Sequence, residues 1–329
     1  MDTGSTAVEI GLNAAIVTVE GGAPQILVVS KDITGDDGTA LPDGLPLGSF
    51  DPLRHGTFET GLRASVEEQT ALHLGYVEQL YTFGDRGRHK QPEDVDLHIV
   101  SVGYLALTRN DGEQTGVLER NGALWRNWYG YLPWEDWRSG RPDILDETIL
   151  PALSAWATRP EKDRSRRLPN RHSRLRLAFG QGDFPWDEER VLERYELLYE
   201  AGLVEEAVSD GRIASTDLDC PLGRPMRFDH RRILATAMAR LRGKLKYRPV
   251  IFELMPPEFT LTDLQSTVEA ISGRHLHKQN FRRLVEGAQL VESTGATSTA
   301  TGGRPAALYR FRREILEERP APGIKFGGR

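Results

Sequence analysis

The chain has 329 residues, 39% hydrophobic and 27% charged, which is enough for two ordinary domains of globular composition. No long uncharged apolar run is present, the start Met1-Asp2-Thr3-Gly4 lacks the basic stretch of a secretory signal, and the single cysteine, Cys220, excludes an internal disulfide and argues against structural zinc, so a soluble cytoplasmic protein is expected. The net charge of −6 is uneven: residues 227–329 hold 19 Lys+Arg against 10 Asp+Glu, leaving 23 against 38 for residues 1–226, which points to a polyanion partner for the basic end or, more plainly, to a solvated basic face.

Residues 7–31 read as paired strands. Val8-Glu9-Ile10 leads into residues 14–19, Gly21-Gly22 makes a turn, and residues 25–30 return. A loop over 32–44 precedes Leu45-Pro46-Leu47-Gly48-Ser49-Phe50, and a helix is predicted over about 59–72. Residues 77–81 and 97–107 have strand character. Trp125, Trp128, Trp134 and Trp137 cluster in sequence; packing in a core or interface is favoured over a platform for an adenine. Residues 139–226 hold a basic, loop-like stretch over 159–176 and a helix predicted from an Asp187 cap to Ala201, ended by Gly202 and striped by Val191, Leu192, Tyr195, Leu198 and Tyr199. A helix over 229–243 places Leu234, Met238 and Leu241 on one face.

The basic end has its own pattern. Pro256-Pro257 ends what precedes it, and Thr260 with Asp263 three residues on forms a capping arrangement for a helix carrying Leu261, Leu264, Val268 and Ile271, closed by Gly273. A second helix over about 277–286 turns Leu276, Phe281, Leu284 and Val285 inward and is stopped by Gly287. Lys278, Gln279, Arg282 and Arg283 are left outside, with Asn280 near the edge. Arg can fork to guanine, Asn or Gln can pair with adenine, and Lys can meet phosphate. Residues 290–293 and 307–311 read as strands flanking a Gly/Thr/Ser/Ala loop over 294–303, with Arg304 at its end, where a wing could reach phosphate or the minor groove. Helix, turn, basic helix and wing in this order predict a winged helix-turn-helix that binds double-stranded DNA; the alternative is a helical hairpin with surface arginines.

Strand pair, Gly-rich loop, Glu-rich helix and further strands follow the order of a Nudix domain. The helix resembles the Nudix box, G-x5-E-x7-R-E-U-x-E-E-x-G-U, but breaks it. With Thr70-Ala71-Leu72 at the close, Val66 and Leu72 fill the aliphatic positions and Glu68 survives, while Ala64, Ser65 and Gln69 replace the rest. One residue back, Arg63, Glu67 and Glu68 survive; the first register is preferred, and neither supplies the full carboxylate set. Glu67-Glu68 also reads as a simple exposed acidic face.

The whole resembles the Nudix-related transcriptional regulator family NrtR. The resemblance rests on Gln79-Leu80-Tyr81-Thr82-Phe83-Gly84-Asp85, Ser101-Val102-Gly103-Tyr104 and Pro133-Trp134-Glu135-Asp136-Trp137-Arg138. It rests equally on Phe228-Asp229-His230-Arg231-Arg232-Ile233-Leu234, on Phe259-Thr260-Leu261-Thr262-Asp263-Leu264-Gln265 and on Asn280-Phe281-Arg282-Arg283. It departs at His277, where the family usually has Asp, a better cap.

The resemblance implies an α+β chain. A Nudix-like α/β/α sandwich over 1–245, used for sensing and dimerisation, would be followed by a winged helix-turn-helix over 246–329. Residues 139–226 would be an insertion, a packed decoration in preference to an addition to the dimer interface. The implied function is a homodimeric repressor of NAD biosynthesis or salvage genes on an inverted-repeat operator. Its effector would be ADP-ribose or a related nucleotide, with no cofactor, resident metal or catalytic residue required. The implied DNA contacts are Thr260, Thr262, Lys278, Gln279, Asn280, Arg282, Arg283 and Arg304. The effector pocket would use Glu67, Glu68, Phe83, Asp85, Arg86 and Arg88; the last four also read as a polar loop. The competing class is a Nudix pyrophosphohydrolase acting on ADP-ribose-like substrates.

Overall fold

Period-two alternation builds the centre of the molecule. In the computed structural model, which describes residues 7–30, 41–85, 97–110, 115–160, 170–216, 218, 220–298 and 305–318, strand β1 (Ala7–Glu20) sends Leu12, Ala14 and Ile16 to one face and Ala15 and Val17 to the other, all fully buried. Gly21 and Gly22, at φ of 56° and 74°, form the tight turn into β2 (Ala23–Val29), a backbone that side chains disfavour. β3 (Leu47–Ser49) pairs with β1 beyond the end of β2. With β4 (Tyr76–Phe83), β5 (Leu97–Leu107) and β6 (Ala123–Asn127), the sheet order is β4-β5-β1-β2-β6, and the β1–β5 pair is parallel over its full register.

One face of the sheet is covered by α1 (Phe58–Thr70), whose Leu62 and Val66 pack with Leu12, Ile16, Leu27 and Tyr104, and by Leu118 of α2 (Thr115–Arg120). Four helices follow, α3 (Leu150–Thr158), α4 (Arg171–Phe179), α5 (Val191–Ala201) and α6 (Glu205–Ser209). They pack with α7 (His230–Tyr247) over the other face, where Leu234, Met238 and Leu241 are fully buried as the periodicity predicts. Trp128 and Trp134 are fully buried there too, so the tryptophan cluster is mainly core.

The remaining elements form the C-terminal unit: α8 (Leu261–Ser272), α9 (Lys278–Ala288), the hairpin β7 (Val291–Ser298) and β8 (Ala306–Phe311), and α10 (Ile315–Glu318). The apolar cluster on the α7 face continues without a break through Leu264, Phe281 and Ile315 of this unit.

Several expectations need correction. α5 starts at Val191; Asp187 caps no helix, and its carboxylate accepts the Glu189 amide in the preceding turn at 2.9 Å. The stretch read as loop over 159–176 contains the start of α4, whose arginines serve as packing groups. Arg171 lies over the Trp156 ring at 4.3 Å, and Arg174 pairs with Glu200 at 2.7 Å. α9 passes Gly287 and ends at Ala288, because Gln289 takes the left-handed capping conformation at φ 53°. Leu284 is exposed; only Phe281 and Val285 of α9 are buried. β7 continues to Ser298, inside the stretch read as the wing loop.

Candidate nucleic-acid interface and effector face

The C-terminal unit is assembled by local chemistry. The Thr260 hydroxyl accepts the Asp263 amide at 3.1 Å, and the Asp263 carboxylate accepts the Thr260 amide at 2.9 Å, a reciprocal cap that starts α8. That hydroxyl also donates to Asp263 at 2.8 Å, so Thr260, expected at DNA, is committed to its helix; Thr262 beside it is exposed. Gly273, at φ 71°, turns the chain toward α9. Phe281 and Val285 fasten α9 to the core, which leaves Lys278, Gln279, Asn280, Arg282 and Arg283 together on the exposed side. Arg283 donates weakly to the Asn280 side chain at 3.4 Å. His277 makes no side-chain cap bond, as expected where an imidazole replaces Asp. The wing is tied to the same frame: Phe259 and Tyr309 exchange backbone hydrogen bonds at 2.9 and 2.8 Å. Arg304 lies outside the described residues.

Among the described residues, the expected effector groups lie apart, Glu67 and Glu68 on α1 and Phe83 on the α7 face of the sheet. Glu67 and Glu68 are exposed on α1; Glu67 lies 3.5 Å from His73. Phe83 instead belongs to the core on the α7 face, with 7% of its surface exposed. The Arg232 guanidinium lies over its ring at 4.7 Å and binds Asp85 at 2.6 Å, Glu196 at 2.5 Å and Asp229 at 3.1 Å. Arg232 therefore covers the ring that was expected to stack on a ligand. Arg86 and Arg88 lie outside the described residues. Sequence reasoning missed Arg232 as the organiser here, although it stands in the run Phe228–Leu234 that carried the resemblance. A separate groove of about 450 Å³ between α5, α7 and β4 is lined by Tyr81, Arg240, Lys244 and Tyr247, and its Arg240 and Lys244 share the Glu78 carboxylate at 3.0 and 2.8 Å.

The box helix fits the first register. Val66 and Leu72 are buried, and Ala71 adopts φ 58°, the left-handed conformation for which the box carries glycine. A magnesium cage does not fit the donors at these positions. Gln69 is bound to the Leu47 backbone in both directions, at 2.6 and 3.3 Å, and Ser65 lies against Gly48. Among the described residues no group of three or more His, Cys, Asp or Glu side chains could hold a metal ion. Among the same residues no helix is long and apolar enough to cross a membrane.

Residues 251–311 match the family model of the NrtR DNA-binding winged helix domain. The C-terminal unit is thus similar to the NrtR DNA-binding winged helix domain. A curated relative, the ADPR responsive transcriptional repressor NtrR of Acinetobacter baylyi, is 45% identical over 94 residues, 29% of this chain and 37% of that protein's length. In overall fold the chain is similar to Shewanella oneidensis NrtR, solved with a 27mer DNA, with a TM-score of 0.54 and 21% identity over 94% of this chain and 95% of the other. It is also similar to a MutT/nudix family protein from Enterococcus faecalis, with a TM-score of 0.50 and 13% identity over 94% and 88%. The architecture is thus a Nudix-like α/β/α sandwich joined to an NrtR-type winged helix.

Proposed function

We propose that the chain is a DNA-binding transcriptional repressor of NAD biosynthesis or salvage genes, acting in the cytoplasm as a homodimer on an inverted-repeat operator. The observation that carries this reading is the exposed face of α9, where Lys278, Gln279, Asn280, Arg282 and Arg283 stand together beside a wing. Such a set supplies both base-reading and phosphate-meeting groups. The division into a sensing body over 1–245, with 139–226 inserted, and a reading unit over 246–329 is part of the proposal. Arg304 is proposed to extend the contact from the wing.

The body is proposed to sense ADP-ribose or a related nucleotide. The relative whose name states ADPR responsiveness supports this. Glu67, Glu68, Arg86 and Arg88 remain effector candidates, and Asp85, though held by Arg232, stays exposed beside them, whereas Phe83 is covered by Arg232. A nucleotide regulates only if it binds the DNA-free and DNA-bound geometries differently.

The deciding experiment is fluorescence anisotropy of the full chain on DNA upstream of its own and neighbouring NAD-synthesis genes, beside shuffled DNA, with and without ADP-ribose. Specific binding weakened by ADP-ribose is expected. The absence of specific binding to every fragment would overturn the repressor. In the same preparation, ADP-ribose with magnesium is expected to yield no AMP, and turnover at ordinary enzymatic rates would favour the pyrophosphohydrolase instead.

A further inference from the structure

A polar cluster outside both candidate sites joins the body to the reading unit. The Glu135 carboxylate is fully buried. It accepts Arg194 of α5 at 2.6 and 2.9 Å and Arg242 of α7 at 2.7 Å. Arg242 continues onward, its Nε donating to the Ile271 carbonyl of α8 at 3.0 Å. The Tyr129 hydroxyl donates to the Ala270 carbonyl at 2.8 Å, and the Trp137 amide donates to the Gly273 carbonyl at 2.8 Å.

These acceptors are the end of α8 and its cap. A helix leaves its last carbonyls without partners of its own, and here the body supplies the donors. The end of α8 is therefore completed by another part of the chain, not merely packed against it. Only residues 274–277 separate that end from α9, so the pose of α9 is referred directly to the body.

We propose that Tyr129, Glu135 and Arg242 are positioning residues that fix the reading helix on the body and thereby set the half-site spacing the dimer accepts. The inference rests on reading α9 as the DNA-reading helix of a homodimer. Buried ion pairs are poor sources of net stability, and apolar replacements often match them. What this cluster supplies is orientation, since each donor has one direction. One base pair of spacing displaces a half-site by about 3.4 Å and about 35° around the duplex. A rigid joint rejects such a change, whereas a loose one follows it.

Glu135→Ala would strand two buried arginines, so the test uses Tyr129→Phe combined with Arg274→Ala in the full chain. This removes the bonds of the Tyr129 hydroxyl to Ala270 and Arg242 and the contacts of Arg274 with the Trp186 carbonyl and Glu188, and strands no buried charge, since Arg242 keeps Glu135 and Glu188 keeps Lys246. The probe is the duplex that the unaltered protein selects from a random pool, remade with one or two base pairs inserted or removed between its half-sites, beside a single half-site. The unaltered protein should lose about tenfold or more in affinity at altered spacing. The variant should lose under about threefold, with single half-site affinity unchanged.

Hydrogen exchange without DNA is read in parallel. In the variant, residues 261–288 should exchange faster while 97–107 stay as before. An unaltered spacing penalty in the variant would overturn the inference. Should the unaltered protein select no duplex, the DNA reading fails by itself and exchange decides the joint: faster exchange at 261–288 upholds it, and unchanged exchange overturns it.

Discussion

Arg282 and Arg283 differ from Arg232 in what surrounds them, and that decides what each can do. Arg232 is occupied by three carboxylates and an aromatic ring, so its guanidinium already has partners in the free protein. Arg282 and Arg283 are exposed, and among the described residues Arg283 has a long bond to Asn280 to give up. If either reads a base, Arg282→Ala or Arg283→Ala should cost about 1–3 kcal/mol of operator binding and relax specificity at one position. Lys278, exposed at the first turn of α9, is the proposed phosphate contact. Lys278→Ala should weaken binding to all sequences alike and reduce the slope of log K against log salt by about 0.9. Anisotropy titrations at several salt concentrations separate the two: a slope that Lys278→Ala leaves intact would remove that phosphate contact, and full operator affinity in both arginine variants would remove α9 from recognition.

At the scale of elements, Gly273 shows how tightly the turn between α8 and α9 is built. A Cβ there would lie 2.5 Å from the Glu135 carbonyl oxygen and 2.7 Å from Arg242, on a backbone with φ 71°. Gly273→Ala should therefore destabilise the chain by about 1–3 kcal/mol in denaturant unfolding. Gly287→Ala is the control: it lies inside α9, with nothing among the described residues within 4 Å of an added Cβ, and should stabilise by about 0.5–1 kcal/mol. Equal effects from the two would mean that the close approach at Gly273 carries no cost. The capping of α8, the buried positions of α7 and α8 and the pairing of β1 with β2 through the Gly21-Gly22 turn were legible in the sequence, because their signals lie within a few residues. α4 was not, because Arg171, Arg174 and Arg176 mask its short apolar face of Leu175, Ala178 and Phe179. The exposure of Leu284 was not legible either, since helical spacing gives a direction without saying how wide the covering neighbour is. Least legible was the joint at Glu135, whose partners Arg194 and Arg242 lie 59 and 107 residues away.

For the whole molecule, the continuity of the core matters more than the division into a body and a reading unit. The same apolar cluster runs from the α7 face through the helices of 139–226 into α8 and α9, and the buried ion cluster sits where these meet. Burial alone would raise the Glu135 carboxyl, but Arg194 and Arg242 outweigh it and hold it below its ordinary value. At the rim, burial likewise opposes ionisation of Glu188, and its backbone bond, Arg274 and Lys246 prevail. Both groups therefore bind protons less readily folded than unfolded. Their stabilisation is fully present above the ordinary glutamate value and is lost as pH falls through the lowered folded values. Acid should thus loosen the seam between body and reading unit before it disturbs the sheet, whose buried polar residues Asn13, Thr18 and Ser101 do not titrate. Hydrogen exchange measured from neutral pH downward, corrected for intrinsic rates, should show residues 261–288 losing protection at a higher pH than 97–107. Loss of protection in both segments at one pH would mean that the seam is no weaker to acid than the sheet, and that the continuous core, rather than the ion cluster, sets how the two parts separate.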